Sequence, residues 1–207
     1  MIKNTLKTSE FNHFETLADE WWDPDGKFKI LHSLTPIRVK YIKNKLFEKK
    51  QLIKFSKKSL SNFNILDLGC GGGLVCEPLA RLGANITGID FVKQNIIAAK
   101  KHAKKTNTNI EYLHQNINNL KLKKKYDAVL ILEVLEHIED WKKIIINVKK
   151  LLKPGGKMII STINRNFFSK LFAIFIAENI LKWIPKKTHT YSKLIKPDEL
   201  RPFLNKN

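Results

Sequence analysis

Cysteine, methionine and arginine are all scarce in this 207-residue chain. Two cysteines, Cys70 and Cys76, cannot supply a disulfide framework, and free thiols in a reducing compartment are expected. Arginine occurs only as Arg38, Arg81, Arg165 and Arg201, so the net charge of +19 is carried by lysine. A charge of that size ordinarily points to nucleic acid or an anionic membrane. The lysines, however, are scattered through every predicted helix rather than gathered beside exposed aromatics, so a nucleic-acid partner is not expected. Attraction to an acidic bilayer surface is compatible with the charge. No targeting segment is read at the start: Met1 to Glu10 has no apolar run, and the acids Glu10, Glu15, Asp19 and Glu20 arrive too early for a transit peptide. A membrane-spanning run is missing too. The most apolar stretch, Phe167 to Pro185, is interrupted by Lys170, Glu178, Asn179 and Lys182, which suits a span of about 30 Å of hydrocarbon poorly. It is expected to be a helix dipping into the interface, with Trp183 and nearby lysines at headgroup depth; an ordinary helix packed on the sheet is the alternative.

What is present is one organising stretch. Only nine glycines occur, and Gly69, Gly71, Gly72 and Gly73 fall together in Phe63 to Leu74, where an apolar run ends in Asp67 and a new apolar periodicity follows. This reads as strand, tight loop and helix, with glycines that let a ligand lie against the main chain and helix amides that offer donors. The sixth position from Gly69 is Leu74, so the loop does not match the dinucleotide pattern G-x-G-x-x-G. A carboxylate at the mouth, Asp67, repels a pyrophosphate and favours a ligand carrying an ammonium group, such as S-adenosylmethionine. Asp90 closes a second predicted strand about 20 residues beyond the first loop glycine, where an acid receives two ribose hydroxyls.

The remaining chain alternates. A helix over Glu10 to Trp22 ends in the turn Asp23-Pro24-Asp25-Gly26. Phe28 to Leu31 reads as irregular, and Pro36 opens a second helix with Val39, Ile42, Leu46 and Ile53 on its apolar face. Beyond the loop a helix runs to about Leu82 with Gly83 as its cap. Then come a strand at Ile86 to Ile89, a helix at Lys93 to Lys105, strands at Ile110 to His114 and Tyr126 to Leu132, a helix at Asp140 to Leu152, and a turn at Pro154-Gly155-Gly156 into a fifth strand, Lys157 to Thr162. Continuous apolar strands separated by helices predict an α/β fold with a mostly parallel sheet covered on both faces. Asp67, Asp90, Asn116 and Glu133 then fall at the carboxyl ends of strands, where such sheets bind ligands. The expected organisation is an N-terminal helical cap (1–60), a Rossmann-like core (61–165) and an apolar helix with a short C-terminal segment (166–207).

With these residues in place, the sequence resembles the Rossmann-like class I S-adenosylmethionine-dependent methyltransferases, whose first motif is matched by Asp67 to Gly73. Within them, Phe14-Glu15 to Trp21-Trp22-Asp23, Gly26 to His32, Pro36-Ile37-Arg38, Glu133 to His137 and Ser161 to Asn166 resemble the O-methyltransferase family of ubiquinone biosynthesis. The resemblance covers about residues 10 to 200. It implies a cofactor, S-adenosylmethionine, held by Arg38, Asp67, Gly69, Gly71, Asp90 and Leu132, with Asn116 standing where the wider class often has an acid for the adenine amine. It implies methylation of catechol-type hydroxyls on polyprenylated precursors. It also implies a divalent cation such as magnesium on Glu133, Glu136 and His137; if His137 is not a ligand, it is the general base. Peripheral association with the cytoplasmic side of the inner membrane, and with other enzymes of ubiquinone biosynthesis, follows from the same resemblance. Such enzymes resemble seven-stranded sheets, yet after the helix starting at Pro197 the sequence runs only to Asn207. The last two strands are therefore expected to be missing, leaving the fifth as an unprotected edge. A non-catalytic remnant that binds cofactor and membrane, or a methyltransferase for another small molecule, are the competing expectations.

Overall fold

A computed structural model describes residues 18–47, 59–162 and 195–204. Five strands, β1 (Asn64–Leu68), β2 (Asn85–Asp90), β3 (Glu111–His114), β4 (Tyr126–Leu132) and β5 (Leu152–Ser161), form one sheet in the order β3-β2-β1-β4-β5. Every neighbouring pair is parallel. Alternation along each strand divides the apolar side chains between two cores, because successive residues point to opposite faces. Ile65, Ile86, Ala128 and Leu130 join one core, while Leu66, Leu68, Ile89, Val129 and Ile131 join the other. Helices cover both faces. The first core takes Ile42, Leu46 and Phe47 of α1 (Lys29–Phe47), Cys76 and Leu79 of α2 (Cys76–Arg81), and Ile96, Ala99 and Ala103 of α3 (Lys93–Lys105). The second takes Ile144, Ile145 and Val148 of α4 (Trp141–Lys149) and Leu200 of α5 (Pro197–Leu204). The fold is the Rossmann-like α/β architecture, and its strand order reverses between β1 and β4. A crevice for ligand lies at the carboxyl ends of the strands at such a reversal.

Three sequence expectations need correction. Helix α1 starts at Lys29, ahead of Pro36, which lies inside it. A proline within a helix removes one backbone hydrogen bond, but this helix is anchored on both sides of the break. Leu31 packs on the cluster of Ala18, Trp21, Phe28 and Leu74, and Ile42, Leu46 and Phe47 sit in the main core. The earlier helix appears only as a 3-10 turn at Ala18–Glu20, its preceding residues lying outside the described ones. Finally, Pro154-Gly155-Gly156 is not a turn before β5 but a bulge within it. Tyr126 pairs with Leu152 while Ala128 already pairs with Lys157, and the extra residues loop out with Gly155 at a φ of 73°.

Among the described residues β5 is an edge strand, and no sixth or seventh strand joins the sheet. The apolar stretch Phe167 to Pro185, Asn164-Arg165-Asn166 and Ile53 lie outside the described residues.

Candidate functional site

The loop after β1 is held by the strand beside it. The amides of Gly69 and Cys70 both donate to the Ile89 carbonyl, at 2.7 and 3.0 Å. Gly69, Gly71 and Gly73 have φ values of 76°, 53° and 89°, a region in which a residue with a Cβ is strained. Gly69 is exposed to the crevice. Asp90, at the end of β2, faces the same loop: its Oδ2 accepts from the Gly71 amide at 2.9 Å, and its Oδ1 accepts from the Val92 amide at 2.8 Å and from Asn95 Nδ2 at 3.2 Å. A carboxylate has about four acceptor directions, so one direction of Asp90 is left for a ligand.

Asp67 is 3% exposed and accepts the Cys76 thiol at 3.2 Å. Burial lifts its pKa from 3.8 to about 6, and Asp90 and Glu133 push the same way against Cys76 and Arg38. Burial raises Asp90 and Glu136 as well, and carries the Cys70 thiol to about 11. The crevice thus concentrates acids stripped of the hydration they would have in water, which favours a cationic ligand. Arg38, from α1, is the guanidinium that faces this acid. It pairs with Glu133, and Ser161 Oγ donates to the other oxygen of Glu133 at 2.7 Å.

The donor set expected for a divalent cation does not fit one. Among the described residues no group of three His, Cys, Asp or Glu side chains is arranged to hold a metal. The i, i+3, i+4 spacing of Glu133, Glu136 and His137 would converge on an α-helix, but Glu133 lies outside any helix with φ at 51°, and Leu135–His137 is a 3-10 turn. Glu133 is engaged by Arg38 and Ser161, whereas the buried Glu136 accepts from Thr162 Oγ1 at 3.3 Å.

A methyltransferase domain family model matches residues 66–160. The chain is 47% identical over 204 residues to the ubiquinone biosynthesis O-methyltransferase of Pelagibacter ubique, covering 99% of this chain and 85% of that protein. It is 44% identical over 206 residues to the protein of the same name from Bartonella tribocorum, covering 99% and 83%. The chain belongs to the ubiquinone biosynthesis O-methyltransferase family. The fold likeness extends further: magnesium protoporphyrin IX methyltransferase from Synechocystis PCC 6803 with bound SAH superposes with a TM-score of 0.65 at 18% identity, covering 95% of this chain and 82% of that one.

In this methyltransferase the site includes residues that sequence reasoning missed. The Trp21 ring lies on Gly71 and Gly72, where an added Cβ would come within 2.4 Å of it. Trp21 stacks on Phe28 at 3.9 Å between centroids and donates from Nε1 to Asn95 Oδ1 at 2.8 Å. Trp22 donates to the Gly72 carbonyl at 2.9 Å and stacks on His102 at 3.4 Å. His102 in turn contacts the fully buried Glu77 at 2.6 Å. The tryptophan pair stood out in the sequence only as a marker of the resemblance; nothing in its spacing tied it to a loop 50 residues away. Asn116 is placed differently from its expected role. Its side-chain oxygen caps a 3-10 turn by accepting from the Asn118 amide at 2.9 Å and from Asn118 Nδ2 at 3.0 Å, which uses both lone pairs. Leu132 ends β4 opposite Ser161 and packs on the first core.

Proposed function

We propose that this chain transfers the methyl group of S-adenosylmethionine to a phenolic oxygen of a polyprenylated catechol precursor of ubiquinone. The observation that carries the reading is the gathering of one guanidinium, Arg38, held by Glu133, and two buried acids, Asp67 and Asp90, around a glycine loop at the sheet reversal. That set matches a ligand bearing a carboxylate, an ammonium and ribose hydroxyls. Arg38 would clamp the carboxylate, Asp67 would receive the ammonium, Gly69 and Gly71 would admit the chain against the backbone, and Leu132 would flank the adenosine. In transfer the carbon–sulfur bond breaks as a carbon–oxygen bond forms. The sulfonium leaves as a neutral thioether, and the phenolic proton passes to a base, for which His137 beside the end of β4 is the candidate. No step is assigned to a metal.

An acceptor with a polyprenyl tail resides in a bilayer, and α1 offers a surface suited to one. Ile30, Leu34, Ile37 and Tyr41 recur on one stripe of α1, exposed by 49%, 37%, 65% and 53%. Together with the +19 net charge, this supports peripheral attachment to an anionic membrane on the side where Arg38 enters the site. No helix among the described residues is long and apolar enough to cross a membrane. We take the N-terminal segment, 1–60, to be the cap over the cofactor end, a reading supported by Trp21 and Trp22 on the glycine loop. The test is a methyl-transfer assay with a prenylated catechol in anionic vesicles, with product mass as the readout. A gain of one methyl group supports the proposal. Cofactor binding without any product would leave a non-catalytic binder and overturn it.

A further inference from the structure

Asp90 has a single acceptor direction left for a ligand, and its aim is set by the three donors that occupy the others. Two of these, the amides of Gly71 and Val92, belong to the backbone. The third is the side chain of Asn95, which is 3% exposed and can turn either end of its amide towards Asp90. Only one orientation serves both neighbours: Oδ1 must meet the indole N–H of Trp21, a donor only, and Nδ2 must then meet the carboxylate. Trp21 is itself fixed by stacking on Phe28 and by contact with Gly71 and Gly72. A chain of contacts therefore runs from the N-terminal segment through Trp21 and Asn95 to Asp90, and returns to the loop at Gly71.

We infer that Trp21 is a positioning residue for recognition of ribose hydroxyls, acting through Asn95 on Asp90. The inference rests on the reading of Asp90 as the ribose acceptor. A tryptophan that only filled space would affect every ligand of the crevice alike. One that aims Asp90 weighs more on ligands that carry the hydroxyls than on those that lack them.

The experiment compares binding of S-adenosylhomocysteine and its 2′,3′-dideoxyribose analogue by calorimetry, in the wild type and in Trp21→Phe, which keeps an aromatic ring but removes the N–H. Hydrogen bonds to a charged carboxylate predict that the wild type prefers the hydroxylated ligand by about 30-fold. In Trp21→Phe the preference falls to about threefold, whatever common change in affinity the smaller ring on Gly71 and Gly72 brings to both ligands. Equal weakening of both ligands, or an unchanged preference, overturns the inference. A wild type that does not distinguish the two ligands overturns the reading of Asp90 instead. If circular dichroism shows Trp21→Phe to be unfolded, Asn95→Leu breaks the same link with the indole ring retained, and the same loss of preference is required of it.

Discussion

Replacing Asp67 by asparagine tests the electrostatics of the crevice. The carboxyl is 3% exposed, and burial raises its pKa from 3.8 to about 6. Because the folded pKa lies above the unfolded one, the native state holds this proton more tightly. The associated stability is complete below about pH 4 and is lost as pH rises towards 6, after which the curve levels. At 1.36 kcal/mol per unit, the loss by pH 7.5 is about 3 kcal/mol. Asparagine keeps the size and an acceptor for the Cys76 thiol but cannot ionise. Urea unfolding from pH 4.5 to 7.5 is expected to show Asp67→Asn more stable than wild type by about 2 to 3 kcal/mol at the upper end, with the gain shrinking towards the lower end. On the proposed placement of the cofactor ammonium at Asp67, the same variant is expected to lose cofactor affinity, since the ammonium loses its counter-charge. In the wild type that affinity falls about tenfold per pH unit below 6, and in the variant it does not. A stability difference between variant and wild type that is the same at pH 4.5 and pH 7.5 would refute the reasoning, because only an acid titrating between those values produces the slope.

The glycines separate conformational strain from crowding. Gly155→Ala, with φ of 73° and nothing within 4 Å of an added Cβ, is expected to cost about 1 kcal/mol in thermal unfolding. Gly71→Ala combines φ of 53° with a 2.4 Å contact to Trp21; it is expected to cost about 2 to 4 kcal/mol and to abolish cofactor binding in calorimetry. Glu77 is fully buried with Arg81 at 2.8 Å, His102 at 2.6 Å and Thr106 at 2.9 Å; Arg81 is half exposed and can be solvated once freed, so Glu77→Ala is expected to lose about 1 to 3 kcal/mol by urea titration. Arg38 is held by Glu133, so on the proposed reading Glu133 competes with the cofactor carboxylate for it. Glu133→Gln is therefore expected to tighten S-adenosylhomocysteine binding severalfold, whereas Arg38→Ala weakens it about 100-fold. Unchanged affinity in Glu133→Gln would mean that Arg38 is not shared.

The strands and the position of the crevice were legible in the sequence because both are local properties. Short unbroken apolar runs such as Ala128 to Leu132, rich in β-branched residues, suit strands buried on two faces. An acid followed by closely spaced glycines reads as a tight loop after a strand, whose backbone needs residues without a Cβ. Helix α3 from Lys93 to Lys105 and strand β4 from Tyr126 to Leu132 therefore occupy the residues predicted for them. Pro36 and the Pro154-Gly155-Gly156 segment misled for the opposite reason. Each is a local breaker, overridden by apolar anchors on either side that are visible only when the chain is packed. What the sequence determined alone was the chemistry available at the strand ends, acids and glycines. Only the tertiary structure decided what these groups face, pairing Arg38 with Glu133 across 95 residues and seating Trp21 on a loop 50 positions further along. The physical reason is that hydrogen bonds and burial act over a few ångströms of space, and separation along a chain says nothing of that distance until the sheet has brought its strand ends together.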